Sequence, residues 1–183
     1  RTQTEIPYEL AYLTGNAMQE YLHDMEIMQK FADLNRTIIK EEILDRLHLT
    51  EESGFTTIHN YIDIEQMILR KGAVSAKEGE RLLIPMNMRD GSFICTGLGN
   101  SDWNCSAPHG AGRRLSRKET MNNYTLHDFK ESMKGIYTSS VSKNTIDECP
   151  MAYKPMDEIL ENVRDTVRID QVIKPVYNFK ASD

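Results

Sequence analysis

The chain has 183 residues, of which 39% are hydrophobic and 27% are charged, and its formal net charge is −6. This composition is typical of a soluble globular protein, and the length suffices for one domain with a hydrophobic core. No apolar run approaches the ~20 residues of a membrane span, so we expect no membrane partner. The acidic balance also argues against a general nucleic-acid-binding domain, which would be broadly basic.

The cysteines indicate the compartment in which the protein works. Cys95, Cys105 and Cys149 form no CxxC pair and are odd in number, so we expect a reducing, cytoplasmic environment rather than a disulfide framework. The first ten residues, RTQTEIPYEL, contain neither an apolar signal sequence nor an initiator methionine. We therefore expect the chain to be a cut or processed form of a longer one.

The first predicted element is helical. Apolar residues recur at helical spacing from Ala17 to Leu47, which predicts one long helix or two helices broken near Asp33–Thr37. Asn16 is a candidate N-cap, with Gln19 three residues later. We expect the apolar stripe of this helix, which is rich in methionine, to pack on a core.

Strands are predicted next. The segment Thr56–Glu65 alternates, with Ile58 and Asn60 on one face and His59 and Asp63 on the other. The runs RLLIPM and GSFICTG are short, apolar and bounded by Gly or Pro, which indicates two further strands.

The C-terminal third combines short helices with β-like sequence. Thr125 is expected to cap a helix with the sequence LHDFKESMK, which Gly135 ends. A further helix is expected at about Met156–Asp165, with Pro155 in its first turn. The end, VRIDQVIKPVYNFKASD, is β-like and interrupted at Pro175. A long helix or helix pair followed by mixed strands and short helices predicts an α+β fold.

Positive charge is concentrated in the middle of the chain. Residues 71–118 have a net charge of +4 between acidic flanks, which indicates that an anion is handled locally. Within this region, NCSAPHGAGRRLSRK places His109 beside Gly110, Ala111 and Gly112. Glycines expose backbone N–H groups to an anion, and a neutral imidazole can attack phosphorus without a separate base. The alternative interpretation is a tight turn followed by solvated charges.

Two other segments allow more than one interpretation. His59, next to Asn60, is either a metal ligand or a structural histidine, because one histidine cannot complete a metal site. The segment Arg70–Glu80 is either a second phosphate-facing loop or a hairpin turn with exposed charges.

Taken in order, several motifs resemble those of the RtcB-type RNA ligases, also called tRNA-splicing ligases. The motifs are IHNYIDIE, RKGAVSA, LIPMNMRDGS, GLGN, SAPHGAGRRLSR, PMAYKPMDEIL and KPVYNFK. The resemblance covers nearly the whole chain but only the C-terminal part of the family, in a divergent bacterial branch. It implies that residues 1–183 form a single domain, the C-terminal segment of a larger RNA ligase whose N-terminal metal-binding half is absent.

The resemblance also implies an activity. Such enzymes use GTP and Mn²⁺ to join RNA 3′-phosphate or 2′,3′-cyclic phosphate ends to 5′-hydroxyl ends through a histidine–GMP intermediate, in RNA repair or tRNA splicing. His109 corresponds to the guanylylated histidine, His59 to a metal ligand, and we expect Arg113 to contact phosphate or RNA. The expected nucleotide-binding residues are His59, Asn60, Pro85, Met86, Asn87, Met88, Ser92, His109, Gly110, Ala111, Gly112, Tyr153 and Lys180.

The sequence departs from the family pattern at Met86-Asn87, which replaces Gly-Ser in a nucleotide-binding turn, and at its KASD end. The expected partners are RNA with 3′-phosphate and 5′-hydroxyl ends and the missing N-terminal half, in the same or a separate chain. We expect the 183 residues alone to be inactive. Two alternatives remain open: a non-catalytic module that binds guanine nucleotide or RNA ends, and a metal-independent histidine phosphotransferase.

Overall fold

The structure, a computed structural model, describes residues 10–180. Its elements confirm the predicted α+β fold, with a long helix followed by strands and short helices. In chain order they are α1 (Gly15–Leu47), β1 (His59–Asp63), β2 (Ile68–Ser75), β3 (Arg81–Asn87), β4 (Gly91–Gly97), β5 (Ser106–Pro108), α2 (Arg117–Asn123), α3 (Leu126–Ser132), β6 (Tyr137–Thr138), α4 (Met156–Asn162), β7 (Val167–Ile173) and β8 (Tyr177–Asn178).

The described residues divide into two compact units. The first contains residues 10–54 and 61–69, and the second contains 55–60 and 70–180. The chain therefore passes between them three times: after residue 54, within β1 and within β2. The prediction of a single domain stays a prediction.

In the first unit, α1 is one continuous helix, which decides between the two arrangements predicted for this segment. Its N-cap is Thr14 rather than Asn16, and His48, in the left-handed region, ends it. The expectation that its apolar stripe packs on a core is wrong within the described residues. Leu22 alone is buried in α1, whereas Phe31 is 62% exposed. Helical spacing therefore identified the helix but not the packing of its apolar residues.

Three small sheets organise the strands. The first has the order β1-β2-β5, the second has the antiparallel order β3-β4-β7, and the third pairs β6 with β8 in parallel. In the second sheet, Pro85 of β3 lies opposite Ser92 of β4, and Ser92 lies opposite Ile173 of β7. The C-terminal ends of β3 and β7 and the N-terminal end of β4 therefore lie side by side at one end of the sheet.

Two hydrophobic clusters form the core of the second unit. The larger one packs the inward residues of β3 and β4, such as Ile84 and Phe93, against Val163 and Val167. The smaller one packs Phe129 of α3 against Cys149 and their neighbours. Alternate residues of β3 are buried, which is the pattern of a strand with one face on a core.

Most predicted short elements are confirmed, with changed boundaries. RLLIPM and GSFICTG lie in β3 and β4, and Thr125 caps α3 by accepting a hydrogen bond from the backbone N–H of Asp128. The helix predicted for Met156–Asp165 ends at Asn162, and Pro155 is its N-cap rather than part of its first turn. The C-terminal β-like segment forms β7 and β8 on either side of Pro175; Ala181–Asp183 lie outside the described residues.

Two predictions are corrected. Most of the segment Arg70–Glu80 belongs to β2 rather than to a loop. Its arginine is buried, at 2% exposure, and Arg70 donates to the Ser106 hydroxyl and the Asn104 carbonyl. The basic run after His109 is also not all loop, because α2 begins at Arg117 with a Ser116/Glu119 capping box. Between residues 10 and 180, no helix is long and apolar enough to cross a membrane.

Candidate functional site

A cavity of about 710 Å³ lies in the second unit, where β3 and β7 end and β4 begins. It gathers most residues that the sequence analysis selected: Pro85, Met86, Asn87, Met88, Ser92, His109, Gly110, Ala111, Gly112, Arg113, Tyr153 and Lys180. These residues come from five separate parts of the chain. Gly91, Arg117, Glu148, Ile173, Lys174, Pro175 and Asn178 complete the lining.

The loop that carries His109 is held by backbone hydrogen bonds on both sides. β5 pairs with β2 and leads into the loop, where the His109 N–H donates to the Gly72 carbonyl at 3.3 Å. The Ala111 N–H donates to the Pro85 carbonyl at 3.0 Å. A Cβ on Gly110 would lie 3.1 Å from that same carbonyl oxygen, so the approach of the two backbones favours glycine here.

His59 and Asn60 adjoin this loop but are not among the residues that line the cavity. The His59 ring stacks on the His109 ring, with centroids 5.2 Å apart and planes inclined by 9°. Asn60 has a φ of 55°, and its side-chain oxygen accepts a hydrogen bond from the Gly72 N–H at 2.7 Å. Gly72 therefore connects Asn60 to the backbone of His109.

The turn between β3 and β4 forms another wall. Met86 and Met88 are buried and belong to the two hydrophobic clusters, so their side chains mainly fill the core. The Asn87 side chain donates to Asp90 at 2.8 Å and accepts from the backbone N–H groups of Arg89 and Asp90. The asparagine that replaces serine in the family pattern thus closes the turn through its own side chain.

The basic run after His109 contributes unequally. Arg113 and Arg117 line the cavity, whereas Arg114 and Lys118 are exposed and are not among the lining residues. Arg113 is held inside the protein, since it donates to the carbonyls of Leu115 and Asp147 and its guanidinium lies over the Tyr153 ring at 5.2 Å. The Arg117 side chain is 74% exposed.

Lys180 reaches the cavity from the C-terminal segment. The Ser140 hydroxyl accepts from the Lys180 N–H at 2.7 Å and donates to the Lys180 carbonyl at 3.2 Å. The neighbouring strand is fixed as well, because the Asn178 side chain donates to the Met88 carbonyl. These bonds place Lys180 in the same cavity as the β3–β4 turn, about 90 residues away in sequence.

The sequence analysis missed Glu148, a residue of this cavity that contacts four other lining residues. Its carboxylate accepts from the Tyr153 hydroxyl at 2.6 Å and pairs with the Lys180 ammonium at 3.0 Å. Arg113 and Arg117 lie 3.6 and 3.9 Å from its other oxygen. Glu148 stands two residues before the motif PMAYKPMDEIL, and nothing in the local sequence marks it as a site residue.

The ionisation of this group follows from its contacts. Burial alone would raise the pKa of Glu148, but the hydrogen bonds from Tyr153 and Lys180 outweigh burial and lower it. Burial, together with the hydrogen bond to the Glu148 carboxylate, raises the pKa of Tyr153 to about 12. Around neutral pH the cavity therefore contains a charged carboxylate and a neutral phenol.

The metal prediction concerns His59 alone. Among residues 10–180, no group of three or more His, Cys, Asp or Glu side chains lies close enough together to hold a metal ion. A neutral imidazole nitrogen is the commonest side-chain metal ligand in proteins, so His59 fits as one ligand of a larger set. The described residues contain no cluster of side chains that would provide the remaining ligands of that set.

The geometry suits the handling of a phosphorylated ligand. His109 is exposed, and no protein group within the described part of the chain hydrogen-bonds its ring nitrogens. The cavity beside it has four cationic side chains (Arg113, Arg117, Lys174 and Lys180) and one carboxylate among its described lining. A nucleophilic ring at the edge of a positively charged cavity can attack a phosphoryl group that the cations hold.

Comparison with known proteins finds relatives over nearly the whole chain. Residues 4–181 match the model of the family described as tRNA-splicing ligase RtcB. The chain is 32% identical to the RNA-splicing ligase RtcB of Escherichia coli (strain K12), over 92% of this chain and 46% of that protein. It is 31% identical to the tRNA-splicing ligase RtcB of Aeropyrum pernix, over 84% of this chain and 40% of that protein. The chain thus spans about half the length of these relatives.

Proposed function

Because the chain belongs to the tRNA-splicing ligase RtcB family, we propose that it is the histidine-bearing C-terminal segment of a GTP- and Mn²⁺-dependent RNA ligase. The ligase joins RNA 3′-phosphate or 2′,3′-cyclic phosphate ends to 5′-hydroxyl ends, in RNA repair or tRNA splicing. Its expected location is the cytoplasm. The observation that carries this proposal is the position of His109, on a glycine-flanked loop at the edge of a cavity lined by cations.

The proposed reaction has three steps. A ring nitrogen of neutral His109 attacks the α-phosphorus of GTP, a P–N bond forms, and pyrophosphate leaves with the electron pair of the broken P–O bond. The RNA 3′-phosphate then attacks the same phosphorus, which frees His109 and leaves the RNA end linked to GMP. Finally the 5′-hydroxyl attacks the RNA phosphate, loses its proton, and displaces GMP.

The chain's residues divide the work of binding. The small residues at positions 110–112 give the nucleotide access to the histidine. Pro85, Asn87, Ser92, Tyr153 and Lys180 form the rest of the nucleotide pocket, with Met86 and Met88 supporting its wall from the core. Arg113 contacts the phosphate or RNA, which agrees with its place beside the loop. His59 and Asn60 support the loop from outside the cavity.

His59 would also hold Mn²⁺ together with ligands from the part of the enzyme that this chain does not contain. When bound there, the ion would polarise the phosphate under attack. Because one histidine does not make a coordination shell, we propose that the 183 residues alone do not ligate RNA.

The test compares this chain with the full-length protein that contains it. Each is incubated with Mn²⁺ and GTP labelled at the α-phosphate, and the labelled peptide is mapped by mass spectrometry. We expect an acid-labile GMP adduct on His109 in the full-length protein, no adduct in His109→Ala, and no RNA joining by the short chain. An adduct on Lys71, Lys180 or any other residue would contradict the assignment of His109.

The second candidate is a non-catalytic module that binds guanine nucleotide or RNA ends. This candidate is favoured because, among residues 10–180, no three His, Cys, Asp or Glu side chains lie close enough together to hold a metal ion. Binding of GMP by the full-length protein without any adduct on His109 would support this candidate over the ligase.

A further inference from the structure

Four donor groups in the cavity converge on one carboxylate. Glu148 accepts from the Tyr153 hydroxyl at 2.6 Å and from the Lys180 ammonium at 3.0 Å, both on Oε2. Its Oε1 lies 3.6 Å from Arg113 and 3.9 Å from Arg117. The Glu148 side chain is 16% exposed and that of Lys180 is 44% exposed, so the carboxylate is shielded from water more than the ammonium.

The backbone that carries Glu148 is fixed by the same network that fixes Lys180. The Thr145 hydroxyl, three residues earlier, donates to the Ser140 carbonyl, and the Ser140 hydroxyl accepts from the Lys180 N–H. The carbonyl of Asp147, the residue immediately before Glu148, accepts from Arg113. The position of the carboxylate and the positions of its partners are therefore mutually constrained.

We infer that Glu148 is a positioning residue of the nucleotide pocket, which holds the Lys180 ammonium and the Tyr153 hydroxyl in the orientation that binds a guanine nucleotide. This inference rests on the proposed function and adds a residue that neither the family motifs nor the comparisons assigned. Glu148 acts through its two partners, and its role is to set their geometry before the nucleotide arrives.

The physical reason is preorganisation. A free lysine side chain has four rotatable bonds, and ordering it on binding costs conformational entropy. In the unliganded protein, Glu148 has already restricted Lys180 and Tyr153. Removal of the carboxylate releases both side chains, so a nucleotide must then order them itself. Given the usual cost of immobilising such side chains, affinity should fall roughly tenfold.

Simple electrostatics predicts the opposite sign. The described lining of the cavity has four cations and one carboxylate, so Glu148→Gln makes the cavity more positive. If net charge alone governed binding, an anionic nucleotide would then bind more tightly. Weaker binding in this variant therefore distinguishes positioning from a passive charge.

The experiment measures GMP affinity by calorimetry in the full-length protein, for wild type, Glu148→Gln, Lys180→Met and the double variant. Glu158→Gln is the matched control, because Glu158 pairs with Lys154 at 3.3 Å on the surface and does not line the cavity. Thermal unfolding of each variant checks that the fold is retained. The rate of His109 labelling by GTP at saturation is measured in parallel.

We expect Glu148→Gln to weaken GMP binding roughly tenfold, with a smaller change in the labelling rate at saturating GTP. Compared with Lys180→Met, the double variant should lose further GMP affinity only through Tyr153. That further loss should not exceed the loss that Tyr153→Phe causes in the wild-type protein. Glu158→Gln should match wild type.

Unchanged or tighter GMP binding in Glu148→Gln would overturn the inference. Strict additivity of Glu148→Gln with both Lys180→Met and Tyr153→Phe would overturn it as well.

Failure of the proposed ligase function gives a different result. In that case wild type binds GMP but never labels His109, and the affinities still decide the role of Glu148. If a variant unfolds, Glu148→Asp, which retains the charge on a shorter side chain, replaces it and should lose part of the affinity.

Discussion

The rings of His59 and His109 lie almost parallel, with centroids 5.2 Å apart and planes inclined by 9°. The two residues are 50 positions apart in sequence, on β1 and on the loop after β5. They meet because β1 and β5 both flank β2 in one sheet. The stack puts the candidate metal ligand beside the candidate nucleophile.

The stack and metal binding can be separated by substitution. His59→Phe retains a flat ring against His109 but has no nitrogen to bind a metal, whereas His59→Ala loses both properties. If His59 is a ligand, both variants should lower Mn²⁺-dependent labelling of His109 to a similar extent, roughly 10–100-fold. Labelling in His59→Phe close to that of wild type would show that the ring stack, and not the nitrogen, is what matters.

Arg113 and Arg117 differ in their effect on stability. Arg113→Ala removes donors from the carbonyls of Leu115 and Asp147, which should lower the free energy of unfolding by about 1–3 kcal/mol. Arg117 is exposed, so Arg117→Ala should change that free energy by less than about 0.5 kcal/mol. Urea unfolding followed by circular dichroism measures both. Equal effects of the two substitutions would contradict the difference in their contacts.

Gly112 tests the backbone of the histidine loop. Its φ is +71°, and a Cβ at this position would meet no atom within 4 Å, so a substitution is opposed by backbone conformation alone. Gly112→Ala should lower the free energy of unfolding by about 1–2 kcal/mol. Gly112→Asn should cost less, because asparagine tolerates the left-handed region. If alanine and asparagine had the same effect in urea unfolding, the cost would have another source.

Tyr153 should make stability depend on alkaline pH. Burial and the hydrogen bond to Glu148 raise its pKa to about 12, above the value of about 10 for an unfolded tyrosine. The resulting stabilisation is complete below pH ~10 and is lost as the pH rises from there towards 12. Near-ultraviolet titration of tyrosinate should show one late-titrating group that Tyr153→Phe removes. A titration identical in wild type and variant, with circular dichroism confirming the fold, would contradict this assignment.

Much of the second unit was predictable from local sequence. The short apolar runs of β3 and β4, bounded by Gly or Pro, and the Thr125 cap of α3 are properties of neighbouring residues, and the structure confirms these elements. α2 was missed although its signal was present, since Ser116 and Glu119 have the spacing of a capping box. There the density of basic charge suggested a loop and obscured the start of a helix.

Other features depend on contacts that no local pattern encodes. The burial of Arg70 results from acceptors on Ser106 and Asn104, which only the pairing of β2 with β5 brings near. The site residues were selected through the family motifs, and their meeting in one cavity is a tertiary property. Glu148 was missed because its importance lies in four partners, of which Arg113, Arg117 and Lys180 are distant in sequence and approach it only when the chain folds.

The C-terminal segment contributes residues to the cavity but none to the hydrophobic clusters, and this difference has a genetic consequence. Neither hydrophobic cluster of the described residues contains a member beyond Ile169, whereas Asn178 and Lys180 line the cavity. A stop codon in place of Val176 would spare both clusters and all of β7. Such an allele should yield protein at near-normal abundance whose nucleotide pocket lacks Asn178 and Lys180. In a genetic screen it would score as a null that immunoblotting does not distinguish from wild type.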